Sequence, residues 1–229
     1  MMLCFTNRWS AVAVLSILAS LAWGSPVSAT SLTVGEGGYN LSATYNGNNF
    51  TSPIGNWTGT FGSQNLAYIY CVDLAGQIQV PGTYNATATN NGTIFGNSNP
   101  IPNVGVVAAL LDKYAAADTG ASRVDQSAAL QAAVWKTEFG SQFSFNLGAQ
   151  SSAFQSAYNT YIAYANTNPS GNIGNYQWLS PYDSNGNSTQ GLAAPGVGAT
   201  PEPSSLVLMG VLATTLGAFY YRRRVIPAV

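Results

Sequence analysis

The sequence predicts an α+β fold: an antiparallel β-sandwich or barrel-like part, then a helical subdomain of about three helices, flanked by a signal peptide and a C-terminal transmembrane helix. Three observations predict it. Residues 31–89 are rich in Gly, Asn, Thr and aromatics in short alternating runs. Residues 102–166 turn alanine-rich, with apolar positions returning every three or four residues. Both ends of the chain carry uncharged apolar runs beside arginines. Strands, then helices, then one further strand argue for segregated layers over a doubly wound sheet.

Residues 1–29 read as a signal peptide. Arg8 supplies the positive start, residues 11–23 the apolar run, and "VSA" at 27–29 the small-residue pattern before a cut after Ala29. Cleavage there removes Cys4 and leaves Cys71 as the lone cysteine of the mature chain. An odd cysteine in an exported protein suggests a reactive group or a bond outside the chain.

The next segment, 30–182, reads as one domain. "YNLSATY", "AYIYCVDL" and "TYNATAT" are candidate strands, separated by turn clusters such as "NGNN" and "VPG". "PNVGVVAALLDKYAAA", "SRVDQSAALQAAVWKTEF" and "SSAFQSAYNTYIAYAN" are candidate helices, and "NYQWLSPY" at 175–182 a returning strand. Residues 183–200 are rich in Gly, Ser and Pro and read as a flexible linker, including the oxygen-rich stretch "YDSNGNS" at 182–188.

Composition removes several function classes. The chain has no histidine, so neither a Cys-His pair nor a Ser-His-Asp triad can be assembled. One mature cysteine and scattered carboxylates offer no metal-ligand cluster. Between residues 30 and 200, three basic side chains face seven acidic ones, a net charge of −4, which is no footprint for nucleic acid.

Two residues stand out. If 66–74 is extended, Leu66, Tyr68, Tyr70, Val72 and Leu74 share one face, and Ala67, Ile69, Cys71 and Asp73 the other, with Cys71 central and buried. In the second helix Ser122 can cap the start, with Asp125 three residues on. Val124, Ala128, Gln131, Val134 and Trp135 then fall on one stripe, where Gln131 is the only amide. Burying an unpartnered amide costs about 1–3 kcal/mol, so Gln131 either bonds backbone or is used.

"YCVDL", followed 60 residues later by "LQAAVW", resembles the Cys and Gln motifs of the bacterial thioester domain. The resemblance implies that Cys71 and Gln131 are joined by an internal thioester, with Tyr70 and Trp135 as neighbours that shield it. It further implies a stored electrophile, opened once by an amine on a surface target, with no catalytic turnover and no cofactor. Leu130 stands where many members of that family have Thr.

The last segment, 201–229, begins "PEPSSLVLMGVLATTLGAFYYRRR". Pro201, Glu202 and Pro203, an apolar run from Leu206 to Tyr221, and Arg222, Arg223 and Arg224 stand in the order of the PEP-CTERM sorting signal, which this segment resembles. That resemblance implies a temporary membrane span, processing by an exosortase-type enzyme, and release to the cell surface or extracellular matrix of a Gram-negative bacterium. The competing expectation is a non-covalent structural or binding protein, in which exposed Tyr and Trp contact exopolysaccharide and Cys71 is inert.

Overall fold

The computed structural model describes residues 29–196, apart from 36–37, 56, 99 and 120–122. The signal peptide, the apolar run at 206–221, the Pro201–Pro203 tripeptide and the three arginines lie outside the described residues. Among the described residues no helix is long and apolar enough to cross a membrane.

Among the described residues nine strands and three α-helices follow in chain order: β1 (Thr30–Val34), β2 (Tyr39–Tyr45), β3 (Asn48–Ile54), β4 (Trp57–Phe61), β5 (Gln64–Cys71), β6 (Gly82–Thr89), α1 (Val104–Leu110), α2 (Val124–Phe139), β7 (Phe143–Phe145), α3 (Ser152–Ala165), β8 (Tyr176–Tyr182) and β9 (Leu192–Pro195). A π-helical turn, Leu111–Ala115, prolongs α1. Six strands close an antiparallel barrel in the order β1-β4-β5-β9-β8-β6, and a separate three-stranded sheet runs β3-β2-β7. The expected sandwich or barrel is therefore a barrel with a second small sheet beside it.

The second sheet explains itself locally. Asn46 and Gly47 both take positive φ, 49° and 80°, as a two-residue hairpin turn with the strands' own twist requires, and Gly47 does so without steric cost. β2 turns Leu41 and Ala43 inward and pairs on its other edge with β7. β7 lies inside the half of the chain expected to be purely helical, and its three residues are too few for a period to declare itself.

Helix α2 is the centre of the molecule. It packs against α1, α3, β2, β3, β7 and β5. Residues Ser127–Trp135 are buried without interruption, so the expected single apolar stripe is instead burial all round. Four alanines and Ser127 let neighbours close in on every face. The helix starts on Arg123, which makes no side-chain cap, and not on the expected Ser122, which lies outside the described residues.

Two sequence expectations are corrected along the barrel. Residues 183–200 are not a linker throughout: Leu192, Ala193 and Ala194 are fully buried in β9, seated between β5 and β8. Three buried residues of small or apolar type followed by a half-buried proline carry no alternation to mark them as a strand. The domain thus extends to Pro195 and not to Tyr182. Even alternation along 66–74 also fails, because β5 holds an extra residue against β4: Gly59 faces Leu66 but Trp57 faces Ile69. That bulge turns both Leu66 and Ile69 into the core, and the strand ends at Cys71.

Candidate functional site

Cys71 is the last residue of β5, placed opposite Leu192 of β9, and it is 1 % exposed. Beyond it the chain stays pinned: the Val72 N–H donates to the Gly191 carbonyl at 2.9 Å, and Gln190 Nε2 donates to the Asp73 carbonyl at 2.7 Å. Gln131 reaches this point from α2, also 1 % exposed. The Cys71 backbone N–H donates to Gln131 Oε1 at 2.7 Å, and Gln131 Nε2 donates to the Cys71 carbonyl at 2.7 Å. The structure thus brings together the two residues singled out in the sequence, and it satisfies the buried amide with backbone.

Burial pushes the Cys71 thiol well above its ordinary pKa, and the negative charges of Asp73 and Glu138 push the same way. The sulfur is accordingly a neutral thiol in a low-dielectric pocket, not a resting thiolate.

Trp135 follows Gln131 by one turn and is fully buried. Its ring stands edge-on to Phe50 at 6.1 Å and to Phe143 at 5.5 Å, and its indole N–H has no partner among the described residues. Trp135 is the floor of a groove of about 600 Å³ between the β2–β3 hairpin and the loop 74–78. None of the side chains lining that groove is charged; Tyr45, Asn49, Phe50, Leu74, Ile78 and Gln190 characterise it. The groove adjoins the pair through chain connection at both ends, Leu74 three residues past Cys71 and Trp135 four past Gln131.

Tyr70 is fully buried as well, but it belongs to another neighbourhood. Its hydroxyl lacks a partner among the described residues, its ring lies 6.0 Å from that of Tyr68, and its pKa is raised by burial first and then by Asp118, Tyr161 and Tyr68. In that cluster the Tyr161 hydroxyl donates to Asp118, and the Tyr176 hydroxyl donates to Asp112 at 2.8 Å. Lys113 covers the Tyr164 ring at 3.8 Å. The oxygen-rich stretch closes on itself: Asp183 Oδ1 accepts from the Asn185 and Asn187 N–H groups, and Oδ2 from the Asn187 amide.

Glu138 went unremarked in the sequence. It is 6 % exposed, neither carboxyl oxygen has a hydrogen-bond partner among the described residues, and burial first, then Asp73, pushes its pKa well up. The signal that could have found it is spacing, since seven residues from Gln131 is two helical turns and returns to the same face.

The family model of the PEP-CTERM protein-sorting motif matches residues 199–224. It takes in Pro201, Glu202, Pro203, Arg222, Arg223 and Arg224. This motif implies recognition by an exosortase, export through the membrane, and a surface or extracellular location in a Gram-negative bacterium. Neither the curated proteins nor the solved structures contain a match to the chain.

Proposed function

We propose that this exported surface or matrix protein forms an internal thioester between Cys71 and Gln131 and uses it to attach covalently to an amine-bearing surface target or exopolysaccharide. The observation that carries the reading is the paired 2.7 Å contact between the Gln131 carboxamide and the Cys71 backbone. The N–H of Cys71 sits on the carbonyl oxygen that would gather charge as sulfur adds, the role of an oxyanion-hole donor. The Cys71 carbonyl meanwhile holds the nitrogen that must leave.

The balance is simple. Sulfur adds to the Gln131 carbonyl carbon, the carbon–nitrogen bond breaks, and the thiol proton departs with that nitrogen as ammonia. An amide in water resists such attack, but held reactants can reach effective molarities of roughly 10⁵–10⁸ M. Burial of both residues keeps water from the acyl–sulfur bond. When an amine arrives over Trp135, it takes the acyl group and returns the thiol, which leaves the protein bound through Gln131.

A second reading rests on the groove. Its uncharged amide and aromatic lining suits neutral sugar rings, so the protein would hold exopolysaccharide without a covalent bond while Cys71 stays a thiol. Intact mass of the mature, exported protein separates the two. The thioester lowers the mass by one ammonia and is released by methylamine; the groove reading leaves the formula mass and a thiol alkylated once the chain is unfolded.

A further inference from the structure

The six-stranded barrel closes on itself, so among the described residues the sheet edges belong to the smaller sheet, β3-β2-β7. At one edge β7 is three residues long, and Lys136 Nζ donates to its Phe143 carbonyl at 3.2 Å. At the other edge β3 runs for seven residues with no charged side chain, and its register with β2 has no bulge. Proteins ordinarily blunt such an edge with charge, a bulge or a covering segment.

The register shows which groups this edge leaves free. The two-residue turn at Asn46 and Gly47 makes Tyr45 and Asn48 a hydrogen-bonded pair, and bonded and unbonded pairs then alternate along the strands. Thr44–Asn49, Ser42–Thr51 and Asn40–Pro53 are accordingly unbonded pairs. The side chains agree, because unbonded partners stand closer: the Ser42 and Thr51 hydroxyls meet at 2.9 Å, and the Thr44 hydroxyl donates to Asn49 Oδ1 at 2.7 Å. The N–H and carbonyl groups of Asn49 and Thr51, and the carbonyl of Pro53, therefore point away from β2. Proline stands where no N–H is called for. Asn49 and Thr51 are exposed, and among the described residues their N–H groups find no partner outside the sheet. The Pro53 carbonyl takes the neighbouring Ser52 hydroxyl at 3.2 Å.

This edge faces the groove over Trp135. Residues 48–53 all line it, and since side chains alternate between faces, a hollow touched by six successive residues follows the strand's edge. The far wall, 74–78, is fixed from behind, where Gly76 backs onto the Thr189 carbonyl and Gln190 Nε2 donates to the Asp73 carbonyl. We infer that the groove takes an extended segment of a target polypeptide, which adds to β3 as a fourth strand. Asn49 and Thr51 offer a donor and an acceptor side by side at a repeat of about 6.6 Å, which an extended polypeptide matches and a neutral glycan does not. No side chain lining the groove is charged, so its complement is a neutral main chain and not an ionic group. The inference names the partner of the covalent reading and rests on that reading only for the bond that follows docking. A lysine carried by the added strand is brought to a groove whose floor lies one helical turn from Gln131, and an uncharged groove favours its neutral, nucleophilic form.

The test uses the mature protein carrying Cys71→Ala, which keeps the backbone bonds to Gln131 and forms no thioester. It is immobilised and offered a pool of random-sequence decapeptides blocked at both ends. The selected peptides should lose at least about tenfold in affinity when alternate amides are N-methylated. Thr51→Pro, which removes an outward N–H and sets a ring against the incoming strand, should cost as much. Thr51→Val drops the same hydroxyl but keeps the N–H, and should bind within about twofold of its parent. Thr51→Pro should still melt near its parent, because that N–H serves no bond to β2; if it does not fold, the N-methylated peptides decide alone. A pool that yields no binder, or equal binding by Thr51→Pro or by N-methylated peptides, overturns the inference. So does a neutral glucan oligosaccharide that occupies the groove where no peptide is selected, or a dimer through β3 that Thr51→Pro breaks. The covalent reading fails separately: a wild type at full formula mass leaves the docking result standing, while ammonia loss without peptide binding keeps the thioester and removes the added strand.

Discussion

Gln131 and Cys71 hold each other through both polar ends of one carboxamide, with 2.7 Å to the Cys71 N–H and 2.7 Å to its carbonyl. The two bonds bridge 60 residues and fasten the central helix to the barrel wall.

Gln131→Ala leaves two buried backbone groups without partners and should cost about 2–6 kcal/mol, at 1–3 kcal/mol for each orphan. Cys71→Ala keeps both bonds, because they use only the backbone of residue 71. Its cost measures the cross-link. A thiol alone is worth about 1 kcal/mol of packing, whereas a bond closing a 60-residue loop adds roughly 4 kcal/mol by the entropy argument used for disulfides. Denaturant unfolding of both variants, with intact mass on the same samples, checks the pair of values. A small Cys71→Ala effect in a protein of full formula mass supports the inert-thiol reading.

Stability should also fall as solutions are made less acidic. The Glu138 carboxyl is raised above 4.5 by burial and then by Asp73. Between its unfolded and folded values the unfolded chain has already released the proton that the folded protein retains. Stability is therefore full below the ordinary glutamate range and is lost as pH climbs toward the folded value, at about 1.4 kcal/mol for each pH unit crossed. Asp118, raised chiefly by its own burial, slopes the same way. Melting curves from pH 4 upward should show the decline, and Glu138→Gln should flatten most of it.

Phe50 is half-buried and packs edge-on over Trp135 at the groove. Phe50→Ala should cost about 1–3 kcal/mol, less than the 3–5 kcal/mol of a fully buried ring. It should also uncover the Trp135 indole. Methylamine release should speed up relative to wild type, and acrylamide should quench tryptophan emission more strongly. A variant that melts lower but reacts at the wild-type rate would remove the groove from the route to Gln131.

Much of this arrangement was legible in the residues, and the exceptions have physical causes. "YNLSATY" alternates cleanly because one face of β2 meets the core, and it is a strand from its first residue to its last. The second and third helices fall where alanine-rich periodicity put them. Burial on both sides erases such patterns, which hid β9, and in α2 the burial runs all round and so exceeds the single stripe read from its spacing. Registers slip where a bulge adds a residue, as between Trp57 and Gly59, and no single-strand pattern reports its partner's count. The nearness of Cys71 and Gln131 was visible through paired motifs and not through periodicity. Glu138 was hidden because a glutamate near a helix end ordinarily faces water.

The barrel's closing strand supplies the last prediction. β9 is only four residues long, yet it pairs with Tyr70 and Cys71 on one side and with Tyr176–Leu179 on the other. Just before it, Gly191 and Gln190 hold Val72 and Asp73 in place. A chain ending at Asn187 would leave β5 and β8 as open edges and uncover Leu179, Tyr70 and Cys71, all of which are buried in the closed barrel. It should lose cooperative melting, and Cys71 should react with alkylating reagents without denaturant. A chain ending at Gly196 keeps β9 whole and should melt as the exported protein does, with its sulfur protected. If the shorter chain melts cooperatively with a protected Cys71, then β9 is dispensable and the 183–195 segment acts as the tether that its composition first suggested.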